Sequence, residues 1–197
     1  MIKACMTRKL RTFIAVEIPE EVKQAVSRAQ GGFKASGLPF RWVNPKGMHL
    51  TLKFLGGVLQ SDIDGVVQVM KECTAGFAPM TLTAKGFGAF PNFSKARVFW
   101  TGLAGDAAGL GRLASCLEQG LEPLGFEAEN KRFSAHITLG RARGRIDPKA
   151  LLQAVEKAGS FETQKFTVDR ITLFKSDLRP TGAVYTALAH APFGRNG

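Results

Sequence analysis

The chain is poor in histidine and cysteine, with three of each among its 197 residues. Cys5, Cys73 and Cys116 are odd in number and widely spaced, and they include no Cys-x-x-Cys pair, so we expect neither a disulfide framework nor a zinc site. This use of cysteine favours a reducing cytoplasm as the compartment of the protein.

The chain also lacks long apolar runs, since none of its apolar stretches is long enough to cross a bilayer. The basic start, residues 1–11, is followed by a short apolar stretch and then by Glu17 and Pro19, which is unlike a signal peptide. The chain has no low-complexity tract and no linker rich in Pro, Gly or Ser. Its length and its 45% of hydrophobic residues suit one large domain or two tightly joined lobes. We expect one domain over residues 11–190, with tails at 1–10 and 191–197.

Acidic residues are scarce relative to basic ones, with 16 Asp and Glu against 27 Lys and Arg, a net charge of +11 and a pI near 10.0. A positive field concentrates phosphates near the protein, so this excess favours anionic partners. Between residues 131 and 149 a single acid, Asp147, accompanies six basic residues: Lys131, Arg132, Arg141, Arg143, Arg145 and Lys149. A solvated cationic surface is the alternative interpretation.

One four-residue pattern occurs twice in this chain. It is His49-Leu50-Thr51-Leu52 in the first half and His136-Ile137-Thr138-Leu139 in the second. Side chains of an extended strand alternate between its faces, so the His and Thr of each pattern share one face and the aliphatic residues the other. Each pattern therefore presents an imidazole and a hydroxyl to a cleft and anchors them in a core.

Hydrophobic periodicity and turn residues predict an α+β fold. Strands are expected over residues 11–18, 48–55, 81–90, 97–103, 132–141, 166–174 and 183–188, and residues 41–43 precede a turn at 44–47. Helices are expected from Pro19 to about residues 31–32, after a capping box of Ser61 and Asp64, over 107–120, and from Asp147 to Gly159. Hairpins replace most crossovers, and an internal duplication would bring the two His strands together across a pseudo-twofold axis.

Two imidazoles facing each other suit the cleavage of a phosphodiester. Histidine exists in both protonation states near neutral pH, so one ring can deprotonate water while the other protonates the departing oxygen. The hydroxyls of Thr51 and Thr138, with the guanidinium of Arg141, could hold the phosphoryl oxygens. Trp42, Phe54 and Arg143 are candidate contacts to bases or to RNA, although aromatic residues usually belong to the core.

Other interpretations have less support. His49 and His136 could bind a metal, but neither pattern contains a second ligand at the usual spacing. His190 has no such pattern around it and is more consistent with a structural role. No Gly-x-Ser-x-Gly, Walker A or dinucleotide motif is present, so we expect no cofactor.

The sequence resembles the two-histidine phosphoesterase superfamily, in particular the RNA 2′,3′-cyclic phosphodiesterases, also called 2′-5′ RNA ligases. The resemblance extends from about Arg11 to Leu188, through the stretches RTFIAVEIP (11–19), RWVNPKGMHLTLKFLG (41–56), GFGAFPNFSKARVFWTGL (86–103), RFSAHITLGRAR (132–143) and LFKSDLRPTGAVYTAL (173–188).

This resemblance implies a bilobal α+β fold with pseudo-symmetric antiparallel sheets, outer helices and a central groove. It also implies His49 as proton donor, His136 as proton acceptor, and Thr51 and Thr138 as phosphate contacts. The family opens a terminal 2′,3′-cyclic phosphate of RNA to a 2′-phosphate, and some members join tRNA halves through 2′-5′ bonds. We therefore expect a cytoplasmic, monomeric RNA 2′,3′-cyclic phosphodiesterase without a metal. The alternative is a non-catalytic RNA- or nucleotide-binding module, and the retention of both His and both Thr argues against it.

Overall fold

The structure is a computed structural model that describes residues 9–129, 132–180 and 182–194. Its strands are β1 (Lys9–Glu17), β2 (Phe40–Trp42), β3 (His49–Leu59), β4 (Met80–Phe90), β5 (Val98–Gly105), β6 (His136–Ala142), β7 (Phe166–Val168), β8 (Arg170–Arg179) and β9 (Gly182–Pro192). Its helices are α1 (Glu20–Ala35), α2 (Ile63–Ala75), α3 (Ala107–Leu121) and α4 (Pro148–Ala158). None of these described helices is long and apolar enough to span a membrane.

The strands form two sheets in which every pairing is antiparallel. The first sheet has the order β3-β1-β8-β9 and the second the order β2-β6-β5-β4-β7. The expected α+β, bilobal fold is confirmed. The lobes do not correspond to the two halves of the chain, because the first sheet combines strands from its beginning and its end.

The two His strands meet where the sheets adjoin, since β3, an edge strand of the first sheet, lies against β6 of the second. The helices cover the opposite faces. On α1, the buried Phe33 contacts Phe87 and Phe99 of the second sheet edge to face, and α2 packs against β8 and β9 of the first sheet. This packing buries aromatic and aliphatic side chains on the helix side and leaves the other faces of the sheets to line the groove.

Several predicted boundaries were wrong. Helix α1 continues past Gly31 and Gly32 to Ala35, since glycine only weakens a helix whose apolar face is buried. The capping box does not form, because the Ser61 hydroxyl bonds to the Asp62 carboxylate instead. Strand β6 begins at His136, whereas the strand predicted over 166–174 is divided into β7 and a longer β8. Asp147 does cap α4 by accepting a hydrogen bond from the Lys149 amide.

The cysteine expectation also needs correction. Cys73 on α2 and Cys116 on α3 form a disulfide, with their Cα atoms 5.8 Å apart. They are 43 residues apart in sequence, and only the packing of α2 against α3 brings them together, which neither their number nor their spacing reveals. Cys5 lies outside the described residues. The cysteines therefore no longer support a reducing compartment.

Candidate active site

The turn before β3 orients the first imidazole. Asn44 accepts a hydrogen bond from the Lys46 amide and caps a short 3₁₀ turn, Pro45–Gly47. The turn directs the Gly47 carbonyl toward His49, whose Nδ1 lies 2.8 Å from that oxygen. Asn and Pro favour such a turn through side-chain capping and a fixed φ, so the local sequence positions this histidine.

The second imidazole has the same arrangement. Nδ1 of His136 lies 2.7 Å from the carbonyl oxygen of Ser134, again two residues upstream. A carbonyl only accepts, so in both rings Nδ1 carries the hydrogen and donates it. Nε2 of each neutral ring then has a free lone pair, and each ring can act as a base or, after taking a proton, as an acid.

A bulge in β6 determines where Arg141 points. Trp100 pairs with Thr138 and Phe99 with Gly140, so Leu139 has no partner on β5. Its carbonyl accepts two hydrogen bonds, one from the Val43 amide that follows β2 and one from the buried Gln30 side chain of α1, each at 2.9 Å. The extra residue shifts the alternation of side chains. Arg141 therefore lies on the groove face with His136 and Thr138, and its side chain is exposed.

Strand β3 has a matching irregularity. Ala15 pairs with Thr51 and Ile14 with Lys53, so Leu52 is the unpaired residue. Phe54 then stands five residues after its histidine, as Arg141 does in the other strand, and it is 52% exposed. The two lobes thus present an aromatic ring and a guanidinium at equivalent positions of one groove.

Aromatic rings form the wall on each side of the groove. The ring centroids of Phe13 and Tyr185 lie 4.7 and 5.1 Å from that of His49. Those of Phe90 and Trp100 lie 4.9 and 6.1 Å from that of His136. These rings restrict the imidazoles and shield them from water.

That shielding lowers the pKa of both histidines. Burial is the largest cause for His49, whose pKa falls from 6.5 to about 4, opposed by the hydrogen bond to the Gly47 carbonyl and assisted by the charges of Arg141, His136 and Lys23. Burial also lowers the pKa of His136, with the Ser134 carbonyl opposing and Arg141 assisting. The positive charge of Arg141 thus acts on both rings, and the lowered pKa values favour the neutral form of both histidines.

The remaining predicted contacts lie on or beside the groove. Thr51 and Thr138 are half-buried, each on the face of its histidine. Trp42 packs against Phe40 and over Gly140. With Arg143 it also borders a cavity of about 830 Å³ that neither histidine lines.

A buried ion pair links β3 to α3 and to the segment that precedes β6. The Lys53 ammonium, only 2% exposed, lies 2.6 Å from a carboxylate oxygen of Glu118 on α3 and 2.6 Å from the carbonyl oxygen of Glu127. The same carboxylate accepts a hydrogen bond from the Glu129 amide. The first His strand therefore helps to hold the segment that leads toward the second.

Some parts of the site were not identified from the sequence. Phe13, Tyr185 and Trp100 carry no motif, and their role follows only from the pairing of distant strands. Tyr185 is the only tyrosine of the chain, but rarity alone does not indicate a position. His190 is exposed on β9, where its Nδ1 lies 2.9 Å from the Thr172 hydroxyl. Within the described ranges, no three or more His, Cys, Asp or Glu side chains are grouped so that they could hold a metal ion.

Comparison with known proteins assigns the chain to a class. It matches the LigT-like phosphoesterase family over residues 16–100 and 103–185, and it belongs to that family. Among similar curated proteins, the RNA 2′,3′-cyclic phosphodiesterase of Thermotoga maritima is 35% identical over 93% of this chain and 96% of its own length. The protein of the same name from Thermus thermophilus is 35% identical over 91% of this chain and 88% of its own. The expectation of a phosphoesterase enzyme is confirmed.

Solved structures show the same fold. The crystal structure of the Thermus thermophilus protein TT0787 superposes with a TM-score of 0.79 at 28% identity, covering 95% of this chain and all of that one. The complex of E. coli LigT with 3′-AMP superposes with a TM-score of 0.74 at 23% identity and covers 95% of this chain and 100% of that chain. These likenesses agree with the two-sheet architecture.

Proposed function

We propose that this protein hydrolyses the terminal 2′,3′-cyclic phosphate of RNA to a 2′-phosphate, with His49 and His136 as acid and base. The observation that carries the proposal is the matched pair of imidazoles, each with Nδ1 bonded to a carbonyl and with no hydrogen bond to Nε2 from the described residues. Arg141 projects from the same face as His136, and its charge acts on both rings. The names of the relatives and the net charge of +11 support an RNA substrate.

The reaction divides between the two lobes. Nε2 of His136 takes a proton from water as its oxygen forms a bond to phosphorus, and the bond from phosphorus to the 3′ oxygen breaks. His49 gives its Nε2 proton to that departing oxygen, which leaves a 3′ hydroxyl and a 2′-phosphate. Thr51, Thr138 and Arg141 donate hydrogen bonds to the phosphoryl oxygens as their charge shifts.

Because the pKa of His49 is low, protonation of this ring depends on the bound substrate. With a pKa of about 4, only about one free molecule in a thousand carries the His49 imidazolium at pH 7. The negative charge of the bound phosphate stabilises the imidazolium and raises this pKa, so the acid is formed in the complex. The pH profile of kcat should therefore show a higher pKa for the acid than the profile of kcat/KM does.

Recognition of the terminal nucleotide involves the groove rim in this proposal. The exposed ring of Phe54 offers a stacking surface to the base, and Trp42 and Arg143 offer further contacts. The substrates could include tRNA halves, and ligation through 2′-5′ bonds would use the same acid–base pair in reverse. We further propose that residues 11–190 act as one monomeric unit in the cytoplasm, which size-exclusion chromatography and cell fractionation would test.

A short RNA that ends in a 2′,3′-cyclic phosphate tests the central proposal. Incubation with EDTA should leave the rate unchanged, because acid, base and phosphate contacts all come from the chain. Phosphorus NMR should identify a 2′-phosphate. Activity restored only by an added divalent metal would refute the two-imidazole mechanism, a 3′-phosphate would reverse the assigned roles, and binding without turnover would favour the non-catalytic alternative.

A further inference from the structure

A second basic site lies beside the two histidines. The cavity of about 830 Å³ is lined by Phe40, Arg41, Trp42, Arg143 and Pro180. Phe40 to Trp42 form β2, the strand next to β6, and Arg143 follows the end of β6. Pro180 stands in the turn between β8 and β9 of the first sheet. Both lobes therefore contribute to this cavity, as they do to the groove.

Three guanidinium groups share one face of the β2–β6 ribbon. Arg41 is the direct cross-strand partner of Arg141, and cross-strand partners project from the same face. Arg143 is two residues beyond Arg141, and its amide bonds to the Pro39 carbonyl, which continues the pairing. The alternation of side chains then places Arg143 on that face as well.

Within the described residues these three arginines take part in no ion pair. The ion pairs there are Lys53–Glu118, Lys85–Glu162 and Lys175–Asp177. Like charges placed directly opposite each other on neighbouring strands are destabilising. An anion bound at Arg41 would relieve its repulsion with Arg141.

The positions of the three arginines also show in which direction the positive charge extends from the histidines. Arg141 is on the face of β6 that carries His136, the backbone of Arg41 is one strand farther out, about 4.8 Å away, and Arg143 follows the end of β6, two residues beyond Arg141. The positive charge therefore continues from the histidines toward the edge strand β2. The next phosphate of an RNA strand lies farther from the reacting atoms than the terminal one, and it is the group that we expect on this side of the site.

We propose that Arg41 and Arg143 bind the phosphodiester group that precedes the cyclic end, so that this cavity selects oligonucleotides over mononucleotides. The inference rests on the proposed hydrolysis of cyclic phosphate ends. Arg41 was not among the sequence-derived candidates, because only its register with Arg141 brings it to the groove face.

The test compares three substrates. These are a nucleoside 2′,3′-cyclic phosphate, a dinucleotide with the same cyclic end, and that dinucleotide with a neutral methylphosphonate linkage. The wild type should have a higher kcat/KM on the charged dinucleotide than on the other two. Each of Arg41→Gln and Arg143→Gln should lower the ratio of dinucleotide to mononucleotide kcat/KM about tenfold, mainly through KM, as expected for one charge-assisted contact.

Arg145→Gln is the matched control. Arg145 is exposed in the same connection after β6 but does not line the cavity, so this variant should keep the wild-type ratio. Arg41→Gln and Arg143→Gln should also flatten the salt dependence of dinucleotide kcat/KM by about 0.7 in log–log slope per contact. Arg41→Gln should be at least as heat-stable as the wild type, since it removes a repulsion.

The outcomes separate the two proposals. Equal losses on dinucleotide and mononucleotide, or equal effects of Arg145→Gln and Arg41→Gln, would overturn the subsite. Hydrolysis of the mononucleotide with no gain from the added phosphate would overturn the subsite and leave the proposed function standing. A wild type that hydrolyses no cyclic substrate would overturn the proposed function and this inference with it.

Discussion

The neutral, buried state of His49 predicts how the stability of the free protein depends on pH. Because one unit of pKa corresponds to about 1.4 kcal/mol, a fall from 6.5 to about 4 makes protonation of His49 cost the folded state about 3 kcal/mol. The unfolded chain takes up this proton near pH 6.5 and the folded chain only near pH 4. The free energy of unfolding should therefore fall as pH drops through this window and should level off below it with respect to His49.

Urea unfolding from about pH 4 to 8 measures this dependence in the wild type and in His49→Gln. The variant has a polar side chain of similar length but no titrating group at this position. Its stability should decline about 3 kcal/mol less than that of the wild type between pH 6.5 and 4. At pH values above this window the two curves should run parallel. The decline in stability that remains in the variant includes a contribution from His136, because burial also lowers the pKa of that ring.

Nitrogen NMR of the imidazole provides an independent measurement. Nδ1 of His49 should carry the hydrogen throughout the neutral range, because it donates to a carbonyl. Saturating inorganic phosphate should raise the pKa of this ring. A His49 that titrates at its ordinary pKa of 6.5 in the free protein, or a His49→Gln variant with the wild-type stability curve, would refute the reasoning from burial.

Two further predictions concern activity and folding. His49→Ala and His136→Ala should each lower kcat roughly 10²- to 10⁴-fold, and circular dichroism should show a native fold for both. His190→Ala should keep a kcat close to that of the wild type. Equal losses from all three variants would mean that the site is wrongly assigned. Lys53→Ala breaks a buried ion pair and should lower the free energy of unfolding by about 3 kcal/mol, whereas Lys85→Ala, which breaks an exposed pair, should cost less than about 1 kcal/mol. Similar costs in urea unfolding would contradict the assigned burial.

Local features of the chain were the most predictable. The turn at residues 44–47, the Asp147 cap and the core-facing aliphatic residues of both His patterns follow from side-chain preferences within a few residues. The ends of α1 and β6 were less predictable. Burial of one helix face outweighed the low helix propensity of Gly31 and Gly32, and strand ends depend on partners that are distant in sequence.

The orientation of Arg141 shows why the site was only partly predictable. Regular alternation would place residues 136, 138 and 140 on one face and direct Arg141 away from the histidines. The bulge at Leu139 reverses this, and it is held by a hydrogen bond from Gln30, 109 residues away in sequence. Such a long-range contact has no local signal.

The sequence by itself determined that two imidazoles and two hydroxyls lie on one face of their strands and aliphatic residues on the opposite face, because side chains alternate along a strand. It also determined the excess of positive charge and the resemblance to a phosphoesterase family. Only the tertiary structure decided that β3 and β6 adjoin, that Arg41 stands beside Arg141, and that Cys73 reaches Cys116. It also decided the low pKa of His49, since a pKa depends on the burial and charge that packing creates around the ring.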